Sequence, residues 1–182
     1  NIEYIGEEMD NLYIEKILSL SVSPDAIKRQ KNLQIVYSSI HGTGITLVPK
    51  ALAAFGFENV TLVEEQVEPD GNFPTVVYPN PEEKEALTLA MQKAEELDAD
   101  LVLATDPDAD RVGIAVKNNE GEFVLLNGNQ TGALLVNYML EAWEKAGKFK
   151  GNEYITKTIV TSYIIDKIAA SKNITCYNTL TG

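Results

Sequence analysis

Residues 101–117 read LVLATDPDADRVGIAVK, and the fold follows from how this run is interpreted. Leu101, Val102, Leu103 and Ala104 are all apolar, so a strand here has both faces buried and lies inside a sheet. Carboxylates then come at alternate positions, Asp106, Asp108 and Asp110, followed by Arg111. Residues 111–117 resume a strand, and 118–121 form a hairpin turn into a further strand at 123–125. In so tight a loop every second side chain can turn toward one point. Three carboxylates brought together repel strongly unless a hard cation neutralises them, and Mg²⁺ takes carboxylate oxygens together with phosphate oxygens. A solvated acidic hairpin is the plainer reading, but sites in α/β proteins lie where this loop lies, just beyond a buried strand. A calcium-binding EF-hand is excluded, because the sixth and twelfth positions from Asp106 hold Arg111 and Lys117 instead of Gly and an acid. A phosphatase with an aspartyl nucleophile would employ Asp106 and Asp108 and leave Asp110 and Arg111 without a role.

Outward from this loop, short β-branched runs alternate with helical ones. Asp10 opens an amphipathic helix marked by Leu12, Tyr13, Ile17 and Leu18, and Ser23-Pro24 punctuates it. Strands are expected at 33–39 and 60–63, with a helix at 46–55 ended by Gly56. A Pro- and Gly-rich loop covers 69–81, and Pro81-Glu82-Glu83 starts a helix to about Leu97, Pro and acids suiting a helix N-terminus. The βαβαββ order implies an α/β fold, a three-layer αβα sandwich with a mixed, mostly parallel sheet. A second unit of the same type follows, with helices at 130–145 and 161–171 and strands at 154–159 and 174–177. Gly128, Asn129 and Thr131 read as caps of its first helix. The domains are therefore 1–125 and 126–182. The second stops mid-pattern, which marks it as truncated and leaves apolar helix positions (Leu134, Leu135, Tyr138, Met139) in need of a surface; self-association is expected.

Composition narrows the partners. With 45% hydrophobic and 23% charged residues the chain is globular, not disordered. Its net charge of −12 argues against nucleic acid and against anionic membrane surfaces. No apolar run approaches the roughly 20 residues of a membrane span, and residues 1–10 lack a basic, apolar leader. The single Cys176 suits a reducing, cytoplasmic setting. A phosphorylated ligand would be repelled at long range, so a phosphate site here requires local positive charge, which a bound dication supplies.

The run TDPDADRVGIAV resembles the metal-binding loop of the α-D-phosphohexomutase family, which includes phosphoglucomutases and phosphomannomutases. SSIHGTG at 38–44 resembles the strand-to-helix loop opening the family's second domain, and EPDGNFPTVVYPNPEE at 68–83 the long loop before the metal strand. LNGNQTGALL at 126–135 and KTIVTS at 157–162 resemble the start of the third domain, so the likeness covers nearly the whole chain. It implies Mg²⁺ held by Asp106, Asp108 and Asp110, with Arg111 beside it on phosphate. It further implies a phosphoryl group moved between the 1- and 6-hydroxyls of a hexose through a phosphoserine and a bisphosphate intermediate. Pro107 and Ala109 stand where the family often has Gly, which points to the branch nearer phosphoglucomutase and phosphopentomutase.

The substrate implied is glucose 1-phosphate and its 6-phosphate isomer, with phosphomannomutase and phosphopentomutase chemistry as alternatives. No catalytic residue is assigned within these 182 residues, because the family's phosphoserine loop has no counterpart in them and the sugar-recognition loop is also unmatched. The chain alone is expected to be inactive. Lys157 resembles a lysine lining the family's cleft, and it could equally be a solvated strand residue. His41, the only histidine, lies on a Gly-flanked turn whose N–H groups could face an anion, or it is a hydrogen-bonded structural residue. A stand-alone metal-binding or interaction module is the alternative from a different class.

Overall fold

The computed structural model describes residue 2 and residues 5–181. The chain divides into two compact units, Asn1–Leu126 and Asn127–Gly182. The first contains α1 (Gly6–Leu18), α2 (Pro24–Arg29), β1 (Gln34–Ser38), α3 (Val48–Phe55), β2 (Asn59–Leu62), α4 (Thr88–Glu96), β3 (Leu101–Thr105), β4 (Val112–Lys117) and β5 (Phe123–Leu126). Its sheet runs in the order β2-β1-β3-β4-β5. β1 is parallel to both β2 and β3, while β4 and β5 are added antiparallel.

Alternation along the strands sorts the two faces. Val36, Val102, Ala104 and Ala115 turn to one side, where Ala90, Met91 and Ala94 of α4 complete the core. Ile35 and Tyr37, one residue out of phase, are equally buried on the other. From β1 the chain passes through α3 to β2 on one flank. It then crosses back through α4 to β3 on the opposite flank. Right-handed crossovers in opposite directions place their helices on opposite faces, which is the αβα arrangement. The point between β1 and β3 where direction reverses is the topological switch, and the loops leaving both strands meet there.

Several elements differ from expectation. Asp10 does not start α1 but sits inside it, paired with Lys50 at 2.9 Å. Pro24 begins a helix of its own, α2, which local pattern had shown only as punctuation. The 46–55 helix divides into a 3₁₀ turn at Thr43–Thr46 and α3, with Pro49 in its first turn and Gly56 at φ +104° closing it. The largest departure concerns 81–87, expected as helix and found as successive turns before α4 at Thr88. Local polar contacts hold the turns instead. Val77 N–H donates to Glu85 Oε1, and Glu82 N–H bends back to Asn80 Oδ1. Pro81 is buried with its carbonyl against Gly113, where even a Cβ would come within 2.1 Å. That docking and the full burial of Ala86 and Leu87 outweigh helical propensity.

The second unit holds α5 (Gly128–Lys145), β6 (Tyr154–Thr158), α6 (Ile164–Ser171) and β7 (Thr175–Thr179), with β6 and β7 parallel. Among the described residues three of the five strand pairings are thus parallel. The cap of α5 is Asn127, whose side chain accepts the Gln130 N–H while Gln130 returns to the Asn127 N–H. Asn129, expected to cap, instead accepts the Ser162 N–H at 2.7 Å. Leu140, Ile165 and Ala169 form a small core. Leu134, Leu135 and Tyr138 are 61%, 52% and 46% exposed on α5. Wet apolar area costs about 25 cal/mol per Å², so covering this helix face would be favourable. Light scattering over a concentration series is expected to show a mass above the monomer's that grows with concentration. A constant monomer mass contradicts that expectation.

Candidate metal centre

β3 ends at Thr105 and delivers Asp106 at the sheet's switch point, with only 1% of its surface exposed. A buried carboxylate needs partners, and Arg111 supplies them. Asp106 Oδ1 accepts the Arg111 backbone N–H at 2.9 Å, and Oδ2 accepts the Arg111 Nε–H at 2.7 Å. The loop between them closes through Ala109 N–H to the Asp106 carbonyl at 2.9 Å, with Ala109 left-handed at φ +58°. This folding brings one oxygen each from Asp106, Asp108 and Asp110 within 4.8 Å of one another, the last two exposed.

The electrostatics reflect that crowding. A hydrogen bond with Asp106 and the charges of Asp108 and Asp106 hold the Asp110 carboxyl above the usual carboxylate range. Burial pushes Asp106 upward too, but the hydrogen bonds and charge of Arg111 outweigh it and hold Asp106 below that range. The donor set therefore has one buried, anchored carboxylate and two outward ones beside it, a crowding of negative charge that a cation relieves. All-oxygen ligands with open positions suit a hard dication such as Mg²⁺, which retains waters or accepts substrate oxygens.

Arg111 is thus first an anchor for Asp106; its side chain remains about half exposed, with Asp110 3.7 Å from Nε. His41 lies 4% exposed in the loop after β1. Its Nδ1 faces the Glu68 carbonyl at 3.0 Å, and its Nε2 faces Thr75 Oγ1 at 2.9 Å. A carbonyl only accepts, so the ring proton sits on Nδ1 and the Thr75 hydroxyl donates to Nε2. Both nitrogens are then occupied within the fold. The N–H groups of the same turn are also taken: His41 by the Gln66 carbonyl, Gly42 by Ser39 and Thr43 by Pro107. They do not face an anion, and of the two readings open for this turn the contacts are those of a hydrogen-bonded structural residue.

Sequence reading missed the group that organises this turn. Gln66 is buried, accepts from Ser38 Oγ at 2.6 Å and donates to Thr75 Oγ1 at 2.9 Å. The network holds Ile40 and His41 in left-handed conformations, φ +46° and +56°, which are costly for a β-branched residue. Residue 66 carries no local signal of this, since its partners lie 28 and 9 positions away.

Lys157 belongs to the second unit's own polar cluster. Its side chain is 7% exposed, pairs with Asp166 at 3.1 Å and donates to the Thr161 carbonyl at 3.2 Å. Burial acts to raise the Asp166 carboxyl, but hydrogen bonds from Lys157 and Asn178 and the Lys157 charge hold it below the usual range. Burial and the neighbouring Asp166 push the Cys176 thiol up, which makes it a poor nucleophile.

Comparison with known proteins agrees with this architecture. Residues 11–121 match the family model described as phosphoglucomutase/phosphomannomutase, alpha/beta/alpha domain II, and residues 127–182 match domain III of the same family. The chain is 37% identical over 181 residues to a phosphoglucomutase of Staphylococcus saprophyticus, covering 100% of this chain and 32% of that protein. It is 36% identical over 183 residues to a Haemophilus influenzae protein named "Probable phosphomannomutase", covering 100% of this chain and 36% of the relative. A crystal structure of a phosphoglucomutase/phosphomannomutase family protein from Burkholderia thailandensis superposes with a TM-score of 0.70 at 20% identity, over 95% of this chain and 33% of that one. The chain thus spans about a third of the length of such relatives. With both halves matched in order and the aspartate loop standing where the sheet reverses, the chain belongs to the phosphoglucomutase/phosphomannomutase family.

Proposed function

We propose that this chain is the metal-binding part of a phosphosugar mutase, with Asp106, Asp108 and Asp110 as ligands to Mg²⁺ and glucose 1-phosphate as the preferred substrate of the whole protein. The observation that carries the reading is the convergence of the three carboxylates within 4.8 Å at the C-terminal end of a central strand. When bound, Mg²⁺ neutralises charge on a transferring phosphoryl group. Asp106 anchors the site through Arg111, and Asp108 and Asp110 present their oxygens outward. Arg111, half exposed beside them, offers a phosphate the guanidinium edge not used on Asp106. His41 supports the loop from below without touching ligand, and Lys157 serves the second unit's fold. The relatives' names divide between glucose and mannose phosphates, so mannose 1-phosphate is the nearest competing substrate, and a pentose phosphate is a further alternative. The acidic charge and single cysteine favour a cytoplasmic setting, and no helix among the described residues is long and apolar enough to cross a membrane.

A coupled assay for glucose 6-phosphate, with glucose 1,6-bisphosphate and Mg²⁺ supplied, tests this. The 182 residues alone are expected to give no turnover, and a longer chain carrying them together with a phosphoserine loop is expected to be active. Activity copurifying with the 182 residues contradicts the assignment of roles. An inactive longer chain that also ignores mannose and pentose phosphates contradicts the function.

A further inference from the structure

The aspartate loop is gripped from one side by a second loop that contributes no ligand. After β1 the chain runs through Gly42, Thr43 and Gly44 against the backbone of residues 105–109. Thr43 directs two donors at one acceptor: its N–H reaches the Pro107 carbonyl at 2.8 Å and its hydroxyl reaches the same oxygen at 3.1 Å. Pro107 stands between Asp106 and Asp108, so the orientation of its carbonyl fixes the plane of the Pro107–Asp108 peptide and the direction in which Asp108 leaves the chain.

The approach is backbone against backbone at Gly42 and backbone against side chains at Gly44. A Cβ on Gly42 would fall 2.3 Å from Pro107 Cα and 2.6 Å from its oxygen, and one on Gly44 would meet Thr105 Oγ1 at 2.5 Å and Tyr37 Oη at 2.6 Å. Those two hydroxyls are themselves bonded at 2.8 Å, which ties β1 to β3 just before the loop begins. The rest of the loop is held by Asp106 and Arg111 and by the Ala109 N–H on the Asp106 carbonyl. Asp108 therefore depends on Thr43 for its backbone direction, having no hydrogen bond of its own among the described residues.

We propose that Thr43 is a positioning residue for the aspartate loop: its paired donors on the Pro107 carbonyl orient Asp108 toward Asp106 and Asp110, so that metal affinity depends on a hydroxyl that touches no metal. The metal part of this rests on the function proposed above; the loop part does not. Groups hydrogen-bonded directly to a metal ligand commonly change affinity 10- to 100-fold when lost, and Thr43, which acts on the peptide next to a ligand, is expected at the lower end of that range.

The test uses the 182-residue chain and two variants. Thr43→Val keeps shape and N–H but loses the hydroxyl, and Thr43→Ser keeps both donors. Amide hydrogen exchange without metal and Mn²⁺ titration by electron paramagnetic resonance are read together, with thermal unfolding to confirm that each variant folds. Thr43→Val is expected to speed exchange at Ala109 and Arg111, whose N–H groups are the hydrogen-bonded ones of the loop, and to weaken Mn²⁺ about tenfold, with Thr43→Ser close to the parent. Unchanged exchange and unchanged affinity in a folded Thr43→Val overturn the proposal, as does equal loss in Thr43→Ser. If the valine variant does not fold, the serine variant and the parent's own slow exchange at Ala109 and Arg111 decide, and fast exchange at those two amides in the parent contradicts a clamped loop. A parent that binds no Mn²⁺ sinks the metal reading separately, and the exchange result then stands alone for the clamp.

Discussion

Replacing Asp108 with Asn is expected to weaken Mg²⁺ binding about 30-fold, or roughly 2 kcal/mol, while leaving the fold intact. The side chain is exposed, so its removal costs little in packing. The loss is electrostatic. Even at the dielectric constant of water, one carboxylate charge at a ligand distance of about 2.1 Å attracts a dication by roughly 4 kcal/mol, and the amide oxygen recovers only part of that. Asp110→Asn should behave similarly, because the same crowding that holds its carboxyl above the ordinary range is what a cation relieves. Asp106→Asn should do more damage, since it also sets an amide NH2, which cannot accept, against one of the two Arg111 donors. Calorimetric titration of the parent and the three variants measures this. Equal affinity for parent and Asp108→Asn removes the metal from this loop.

The second large effect concerns stability. Leu87→Ala is expected to lower the stability of the first unit by about 3 kcal/mol and its melting temperature by roughly 10 °C. Leu87 is fully buried in the cluster with Val36, Ala90 and Val102, on a segment that has no regular helix to hold it. The cavity left behind cannot close easily. Pro81 is wedged against Gly113 on one side of the segment and α4 begins at Thr88 on the other. Leu134→Ala, at an exposed position of α5, provides the contrast and should change stability by no more than about 0.5 kcal/mol. Thermal unfolding followed by circular dichroism reads both. A Leu87→Ala variant melting with the parent shows that residues 81–87 do not belong to the core.

What could be read from sequence was local. The strand before the aspartates shows its burial in four consecutive apolar residues, and the alternate carboxylates show their convergence in their spacing. Both signals lie within ten positions and survive folding unchanged. The order of strands and helices was legible for the same reason. What failed depended on distant partners. The acids after Pro81 look like a helix start until Val77 and Asn80 are seen to take up Glu85 and the Glu82 N–H. His41, which the sequence leaves open between an anion-facing turn and a structural residue, has its two nitrogens occupied by Glu68 and Thr75, 27 and 34 positions away. Gln66 and Thr43 show nothing unusual in the sequence, yet one organises the loop after β1 and the other holds the carbonyl between two ligands. Polar side chains acquire such roles from long-range geometry, which residue type and local periodicity do not encode.

The central claim is that one dication sits among Asp106, Asp108 and Asp110, and paramagnetic broadening by Mn²⁺ tests it most directly. In amide spectra of the isotopically labelled chain, substoichiometric Mn²⁺ is expected to broaden Asp106 and the amides of residues 108–111 first, with Thr43 and Gly44 close behind. Asp108→Asn should raise the concentration needed. A net charge of −12 offers many weaker acidic sites, and the exposed glutamates at Glu82 and Glu83 serve as the internal comparison. Broadening that begins at those glutamates, or spreads evenly over the acidic surface while the aspartate loop stays sharp, contradicts the account.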